Sequence, residues 1–153
     1  MSEGADNAFV VEGRMALPYQ YFAGATGSTF IVALRDKHKI LGVRCENCNK
    51  TFIPPRQTCE RCFADLTNNW VEVEPTGEVT GFTVIRYAEP YQPKKPPYVL
   101  ALIQLEGADT PIAHILECGD VDNAQVGMRV RAVFADEPKD NILEIRHFEP
   151  VGE

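Results

Sequence analysis

The sequence lacks the segments that would place a protein in or across a membrane. Of its 153 residues, 44% are hydrophobic, which is ordinary for a soluble globular protein. No apolar run approaches the ~20 residues that a membrane-spanning helix requires. Residues 1–6 have neither the basic nor the apolar region of a secretory signal. We therefore expect a cytoplasmic protein without a membrane partner, in which the cysteines stay reduced.

Motifs of the common nucleophilic and nucleotide-binding enzymes are also missing. There is no glycine-rich phosphate loop and no serine nucleophile elbow. One cysteine, Cys118, has no paired cysteine nearby, and His114 precedes it by four residues. In a strand these two residues would lie about 13 Å apart, too far for the hydrogen bond that activates a thiolate. We expect both to be structural and the chain to be non-catalytic on its own.

An excess of basic residues is lacking as well. The formal net charge is −7, which argues against a general affinity for the phosphates of nucleic acids. The charge is uneven, because residues 35–62 carry seven Lys/Arg and three Asp/Glu, a net of +4, and the rest carries −11. A zinc ion with four thiolates adds about −2 and lowers this segment to roughly +2. A modestly basic segment on an acidic body suits one anionic ligand or partner.

The strongest pattern that is present is a set of four cysteines. Two Cys-x-x-Cys pairs, Cys45 with Cys48 and Cys59 with Cys62, are separated by ten residues. Four thiolates complete a tetrahedral shell around a structural zinc ion and leave no position for a substrate. The pattern predicts a rubredoxin-like zinc ribbon that holds one Zn²⁺ per chain. Iron on the same four sulfurs, as in an electron carrier, is the alternative, because spacing does not distinguish the two metals.

The segment before the ribbon combines a tail, an aromatic arm and a helix within residues 1–39. Tyr19, Tyr21 and Phe22 form the aromatic arm. Clustered aromatic side chains on a terminal segment are typical of interface anchors, so we expect them to bind a partner. The alternative is that they pack back on the domain. A helix is then predicted to follow Ser28, which is a suitable N-cap.

The segment after the ribbon consists of strand patterns. Five short strands with turns between them, and no crossover as long as a helix, predict a small closed barrel of the OB-fold type. We therefore expect a mainly β protein with an N-terminal helical segment (residues 1–39), a zinc ribbon (40–74) and a five-stranded OB-fold barrel (75–150). Residues 98–103 are apolar on both faces of their strand, which predicts that the outward face is covered by a larger subunit.

Several blocks in order resemble one family of zinc-ribbon and OB-fold proteins associated with acyl-CoA metabolism. The resemblance covers roughly residues 21–148, and the blocks that carry it are residues 40–45, 52–56, 77–79, 82–84, 97–102 and 126–130. In the family, glycine often follows the second cysteine of each knuckle, whereas here Asn49 and Phe63 do. Asn tolerates the left-handed conformation that such a turn favours, but Phe does not readily.

The resemblance implies a small accessory subunit of a thiolase-type enzyme. The family members that this chain resembles are small subunits of ketoacyl-CoA thiolases, steroid side-chain aldolases and benzoylsuccinyl-CoA thiolase. In such complexes the large partner carries the catalytic cysteine. The small subunit stabilises that partner and helps to form the coenzyme A passage.

Two groups of basic residues are candidates for the phosphates of coenzyme A or acyl-CoA. Lys94 and Lys95 lie in a proline-rich loop, and Arg56 and Arg61 lie on the predicted ribbon. A nucleic-acid-binding module is the alternative function, because ribbons and OB barrels both occur in that role. It would use exposed aromatics such as Phe82 and Tyr98 amid basic residues, and the acidic body makes it the weaker interpretation.

Overall fold

The computed structural model describes residues 19–152, together with residues 11, 13, 15 and 17. The described residues form one α-helix, eight strands and two short 3₁₀ helices. In chain order the elements are α1 (Gly24–Lys37), β1 (Ile40–Cys45), β2 (Lys50–Phe52), β3 (Trp70–Val73), β4 (Thr76–Ile85), β5 (Tyr98–Leu105), β6 (Ile112–Leu116), a 3₁₀ helix (Val121–Asn123), β7 (Arg129–Phe134), a 3₁₀ helix (Ile142–Glu144) and β8 (Ile145–Pro150).

Helix α1 begins at Gly24, so the prediction that Ser28 is its N-cap is wrong. The Ser28 hydroxyl lies inside the first turns and donates to the Gly24 carbonyl oxygen at 2.7 Å. This is the backward hydrogen bond that serine often makes within a helix. At the other end His38 adopts a left-handed conformation with φ of 51°. Arg35 and Lys37 lie in the last turn, where positive charge complements the helix dipole.

The zinc ribbon is a three-stranded antiparallel sheet in the order β2-β1-β3. Val43 in the central strand is paired with Phe52 on one side and Trp70 on the other. Beside the cysteines the sheet has a small core of its own. The buried members of this core are Val43, Cys45, Phe52, Cys59 and Leu66.

The second sheet is a closed five-stranded barrel in the order β4-β5-β6-β8-β7, and β7 returns to β4. All neighbouring strands are antiparallel except β6 and β8, which run parallel where Leu116 faces Phe148. This order, with closure and one parallel pair, confirms the predicted OB-fold barrel. Strand β4 is long enough to pair with both β5 and β7, and a bulge between Val79 and Gly81 bends it.

One hydrophobic core joins the helix, the base of the ribbon and the barrel. Phe30 and Leu34 of α1 and Ile40, Ile53 and Val73 of the ribbon belong to the same buried cluster as the barrel interior. The base of the ribbon is therefore packed on the barrel, whereas its metal end has a separate core. The division at residues 39/40 and 74/75 stays a prediction.

A loop of the barrel also hydrogen-bonds the edge strand of the ribbon. The Thr51 amide donates to the Asp109 carboxylate, and the Asp109 amide donates to the Thr51 carbonyl, both at 2.8 Å. The Thr110 hydroxyl accepts from the Ile53 amide and donates to the Ile53 carbonyl, again at 2.8 Å. We call Asp109 and Thr110 the clamp, because these two residues satisfy four backbone groups of the ribbon.

Candidate metal centre and binding surfaces

The four paired cysteines converge on one point. The Sγ atoms of Cys45 and Cys62 lie 3.5 Å apart, those of Cys48 and Cys59 lie 3.8 Å apart, and all four lie within 4.8 Å of one another. Zinc–sulfur bonds of about 2.3 Å at tetrahedral angles place sulfurs roughly 3.8 Å apart. The geometry therefore fits a single tetrahedral ion, which is consistent with one structural zinc.

The backbone of both knuckles takes the same left-handed turn after its second cysteine. The φ angles are 53° at Asn49 and 58° at Phe63. In the second knuckle the Phe63 amide donates to the Cys59 carbonyl oxygen at 3.0 Å, which closes the turn. A bulky side chain therefore occupies a conformation that it rarely adopts, at the position where the sequence departs from the family that it resembles.

The protonation of the thiols also points to a cation. The amides of Cys62 and Arg61 donate to the Cys59 sulfur and lower its pKa to about 6. Burial raises the pKa of Cys45, and the nearby Cys62 side chain, together with burial, raises the pKa of Cys48 to about 12. Cys59 thus loses its proton readily, whereas burial and the nearness of the other thiols oppose ionisation of Cys45 and Cys48. A divalent ion supplies the positive charge that lets all four become thiolates.

His114 and Cys118 are each engaged with the backbone. The His114 ring is 3% exposed, its Nδ1 accepts from the Ile115 amide at 2.9 Å, and its Nε2 lies 3.2 Å from the Ile142 carbonyl oxygen. Burial lowers the pKa of His114, so the ring is neutral and donates through Nε2. The Cys118 thiol donates to the Asp120 carbonyl at 3.2 Å, and burial raises its pKa. Neither group is arranged as an activated nucleophile or its base.

The basic residues that the sequence singled out occupy different surroundings. Arg56 forms an ion pair with Glu60 at 2.5 Å, and its guanidinium lies 4.7 Å from the centre of the Phe52 ring. Arg61 and Lys95 are exposed. Lys94 is ion-paired with the Glu117 carboxylate. Among residues 19–152, the structure records no partner that contacts more than one of Arg56, Arg61, Lys94 and Lys95.

Lys94 borders a groove that sequence reasoning missed. The groove has a volume of about 440 Å³, and its lining residues are Pro93, Lys94, Ile115, Glu117, Arg146 and His147. Burial lowers the pKa of His147. Arg146 and His147 belong to β8, which reaches Lys94 only because β8 runs parallel to β6. No local pattern in the sequence signals that long-range pairing.

The outward side of β5 carries an apolar patch. Along this strand Val99, Ala101 and Ile103 are buried, whereas Leu100 and Leu102 are 37% and 45% exposed. Phe82 on the neighbouring strand β4 is 40% exposed and joins them. We call Phe82, Leu100 and Leu102 the barrel patch; they line a shallow hollow of about 270 Å³ with uncharged neighbours.

The aromatic arm is exposed in this structure. Tyr19, Tyr21 and Phe22 are 78%, 80% and 84% exposed, and the two tyrosine rings lie 6.1 Å apart. The alternative that they pack back on the domain is therefore wrong for the isolated chain. Among the residues that the structure describes, no helix is both long and apolar enough to cross a membrane.

Two family models match the chain in the order of its two sheets. The rubredoxin-like zinc ribbon domain of ChsH2 matches residues 33–67, and the C-terminal OB-fold domain of ChsH2 matches residues 70–135. A DUF35 domain-containing scaffold protein of Methanocaldococcus jannaschii is 31% identical over 101 residues, which are 66% of this chain and 71% of that protein. The chain belongs to the DUF35 family. This confirms the family that the sequence blocks indicated.

Other proteins described as DUF35 are similar to the chain in sequence or in fold. A DUF35 scaffold protein of Methanothermobacter thermautotrophicus is 24% identical over 110 residues, 70% of this chain and 82% of that protein. A DUF35 protein of unknown function from Sulfolobus solfataricus superposes with a TM-score of 0.57 at 28% identity, over 72% of this chain and 78% of that one. The Ltp2-ChsH2(DUF35) aldolase shares the fold with a TM-score of 0.60 at 23% identity, over 80% and 93%.

Proposed function

We propose that this DUF35 chain is a non-catalytic accessory subunit of a heteromeric thiolase-type acyl-CoA acyltransferase. It would stabilise the catalytic partner and help to form the coenzyme A passage. The observation that carries the proposal is the exposure of two apolar surfaces, the barrel patch and the aromatic arm. Family membership supports it, because curated relatives are scaffold proteins and one protein of the same fold is the Ltp2-ChsH2(DUF35) aldolase.

The character of the barrel patch favours a protein partner over a nucleic acid. Fully burying a large apolar side chain contributes ~1.5–3 kcal/mol. The three side chains of the patch are 37–45% exposed, so covering each of them would add part of that amount. The hollow between them is lined by uncharged residues, whereas a single-stranded nucleic acid site needs basic residues around its aromatics. Tyr98, the second candidate stacking residue, is only 6% exposed. The nucleic-acid alternative therefore loses one of its two aromatics.

The groove beside Lys94 supports a contribution to the coenzyme A passage. Lys94 and Arg146 bring two cationic groups to one opening, where Arg146 pairs with Asp136, and coenzyme A carries several phosphate charges. Lys94 is held by Glu117 in the free chain, so an anion would compete with that carboxylate. Arg56 is engaged on both sides, by Glu60 and by Phe52. Lys94 and Arg56 are both ion-paired, but of the two only Lys94 borders the groove, and we therefore rank the Lys94 loop first as the coenzyme A contact.

Partner binding is tested with the catalytic subunit itself. The thiolase-type subunit that co-purifies with the chain from its native host is identified by peptide mass spectrometry and titrated against variants. Replacing both Tyr21 and Phe22 by Ala should weaken binding at least tenfold, because truncating a buried aromatic anchor commonly costs ~2 kcal/mol or more. Val126→Ala is the control, since Val126 is 64% exposed and belongs to neither surface. Unchanged affinity of the double variant would show that the arm is not an interface.

The coenzyme A contribution is tested with the assembled complex. Charge reversal at Lys94 and Lys95 should raise the apparent KM for coenzyme A and leave turnover at saturation nearly unchanged. The effect should shrink as salt is added, because exposed charges are screened. Reversal at Arg56 and Arg61 should have the smaller effect. Reversal at the exposed Lys37 and Lys139 together changes the net charge by the same amount and is the control. Unchanged kinetics for both double reversals at low salt would remove this subunit from the passage.

The metal and the compartment belong to the same proposal. We expect colourless protein with one zinc per chain, since an iron tetrathiolate would be red. Elemental analysis of protein purified from the native host decides between the two metals. A cytoplasmic location is proposed because the four ligands must stay reduced to bind, and fractionation of the host cells tests it.

A further inference from the structure

We propose that His38 and Glu144 form a proton-dependent latch that holds the C-terminal end of α1 on the connection between β7 and β8. This connection comprises residues 135–144. In the latched form the His38 imidazole carries a second proton and its charge balances that of the Glu144 carboxylate. The inference goes beyond the proposed function and does not depend on a partner subunit.

Glu144 is a fully buried acidic residue with one unpartnered oxygen. Its exposed fraction is 0%, and its Oε2 accepts a hydrogen bond from the Lys139 amide at 2.6 Å. Among the residues that the structure describes, Oε1 is the only buried side-chain oxygen or nitrogen without a hydrogen-bond partner. Burying an ionised carboxylate is unfavourable unless it is paired and hydrogen-bonded. A proton or a cation beside Oε1 would therefore stabilise the fold.

The His38 ring faces this oxygen. Its Nε2 lies 3.5 Å from Glu144 Oε1, which is too long for a strong hydrogen bond. The ring stacks on Phe134, with the ring centres 4.9 Å apart and the planes 13° apart, and 55% of the side chain is exposed. The ring is thus held in place but open to protons from water. A neutral imidazole has a proton on one nitrogen, whereas an imidazolium has one on both, so protonation ensures a donor and a positive charge beside Oε1.

Glu144 links the imidazole to the rest of the connection. Besides the Lys139 amide, which bonds its carboxylate, the Ala135 amide donates to the Glu144 carbonyl oxygen at 2.8 Å. The same connection carries Asp136, whose carboxylate pairs with Arg146 at 2.7 Å, and Arg146 lines the groove. The element that the latch holds therefore also holds a residue of the groove.

The other charged groups on the elements around the latch are paired with one another or exposed. Carboxyl, ammonium and guanidinium groups ordinarily titrate outside the range between about pH 6 and 8, so they do not compete with an imidazole there. The paired groups are Arg35 with Asp36 and Asp140, Lys39 with Glu72, and Asp136 with Arg146; the exposed ones are Lys37, Glu137 and Lys139.

The direction of the pH dependence follows from the proton. Because the latched form binds the proton, the latch is favoured below about pH 6.5, where histidine in water is protonated, and is lost as pH rises. Two other histidines lie near the connection, since His114 bonds the Ile142 carbonyl and His147 belongs to β8. Burial lowers the pKa of both rings, so proton uptake by either would weaken the fold in acid. Their contribution has the opposite sign.

Hydrogen exchange of the Ala135 and Lys139 amides in the zinc-loaded chain tests the latch. Their protection factors, which remove the intrinsic pH dependence of exchange, should fall at least about threefold from roughly pH 6 to pH 8. His38→Asn keeps a residue that tolerates the left-handed turn but removes the imidazole, so protection should be low and nearly equal at both pH values. Glu144→Gln removes the charge with little change of shape and should behave likewise. Lys37→Gln removes a positive charge from the same helix end and, as the matched control, should keep the fall.

Each other result overturns the latch. Protection that is independent of pH in the unmodified chain would do so, as would a fall of the same size in His38→Asn, which decides alone if Glu144→Gln does not fold. A fall that persists in folded Glu144→Gln would show that the imidazole acts on another group. An equal fall at the amides of β5 would assign the pH dependence to the whole fold. The proposed function stands in every case, because none of these measurements involves the partner subunit.

Discussion

Replacing Thr110 by valine should loosen the ribbon without unfolding the barrel. The Thr110 hydroxyl bonds both the amide and the carbonyl of Ile53 at 2.8 Å, and Ile53 is fully buried. Valine has nearly the same shape but carries a methyl group in place of the hydroxyl. Two buried backbone groups would then lose their partner at once, at the point where the barrel loop holds the ribbon.

The size of the effect follows from those two groups. A buried polar group left without a partner costs ~1–3 kcal/mol. Thr110 is partly exposed, so water can replace some of the lost bonding, and we expect a total of roughly 2–4 kcal/mol. Since each 1.4 kcal/mol is a factor of ten, local opening of the ribbon should increase about 30-fold or more. Thr110→Ser keeps the hydroxyl and should change opening by less than about tenfold.

Native-state hydrogen exchange on the zinc-loaded chain measures this opening. The amides of Val43 and Phe52 are suitable reporters, because they belong to the β1–β2 pairing and make no bond to Thr110. Their exchange should accelerate in Thr110→Val, while amides of β5 in the barrel keep their rates. Unchanged exchange at Val43 and Phe52 would refute the role of the clamp. Equal acceleration throughout the barrel would show that Thr110 stabilises the whole fold instead.

Three further predictions concern the metal, the barrel and a buried histidine. Replacing Cys45 and Cys59 together by serine should abolish zinc binding and disorder the metal end of the ribbon while the barrel persists; full zinc retention by elemental analysis would contradict the site. Gly77→Ala should destabilise the chain by about 1–3 kcal/mol in urea unfolding, because the added Cβ would lie 2.3 Å from the Gln104 carbonyl oxygen; unchanged stability would show that the two strands can separate there. Because burial lowers the pKa of His114 in the folded state, stability should be fully present above the unfolded value of about 6.5 and decline as pH falls below it. His114→Gln should reduce the difference in unfolding free energy between pH 7.5 and 5.5, and an unchanged difference would exclude His114 as its source.

The metal centre and the barrel were predictable because their signals are local. Two Cys-x-x-Cys pairs at short separation require a turn that gathers four sulfurs, whatever surrounds them. Five strand patterns separated by turns, with no helical crossover, restrict the fold to a few small barrels. The two-sided apolar pattern of residues 98–103 predicted a strand with a covered outer face, and the structure shows that Leu100 and Leu102 leave that face open in the free chain.

Other features depend on contacts between distant residues. The groove lined by Lys94, Arg146 and His147 exists only because β6 and β8 run side by side. The clamp pairs Thr51 with Asp109 across a sequence separation of 58 residues. The wrong start of α1 has a different cause, because the Ser28 hydroxyl can cap a helix or bond backward within it with similar ease. The general preference of serine for helix N-caps therefore does not show whether Ser28 lies at the start of the helix or inside it.

The arrangement of the two cores explains how a small chain can present several contact surfaces. The base of the ribbon shares the barrel core, so α1, the ribbon base and the barrel form one packed unit. The metal end has its own small core beside the cysteines, too few residues to be stable without the ion. We therefore expect metal binding to stiffen the metal end, while the clamp holds the edge strand of the ribbon on the barrel. We expect loss of either the ion or the clamp to weaken partner binding, because the contact surfaces would no longer be held in one geometry.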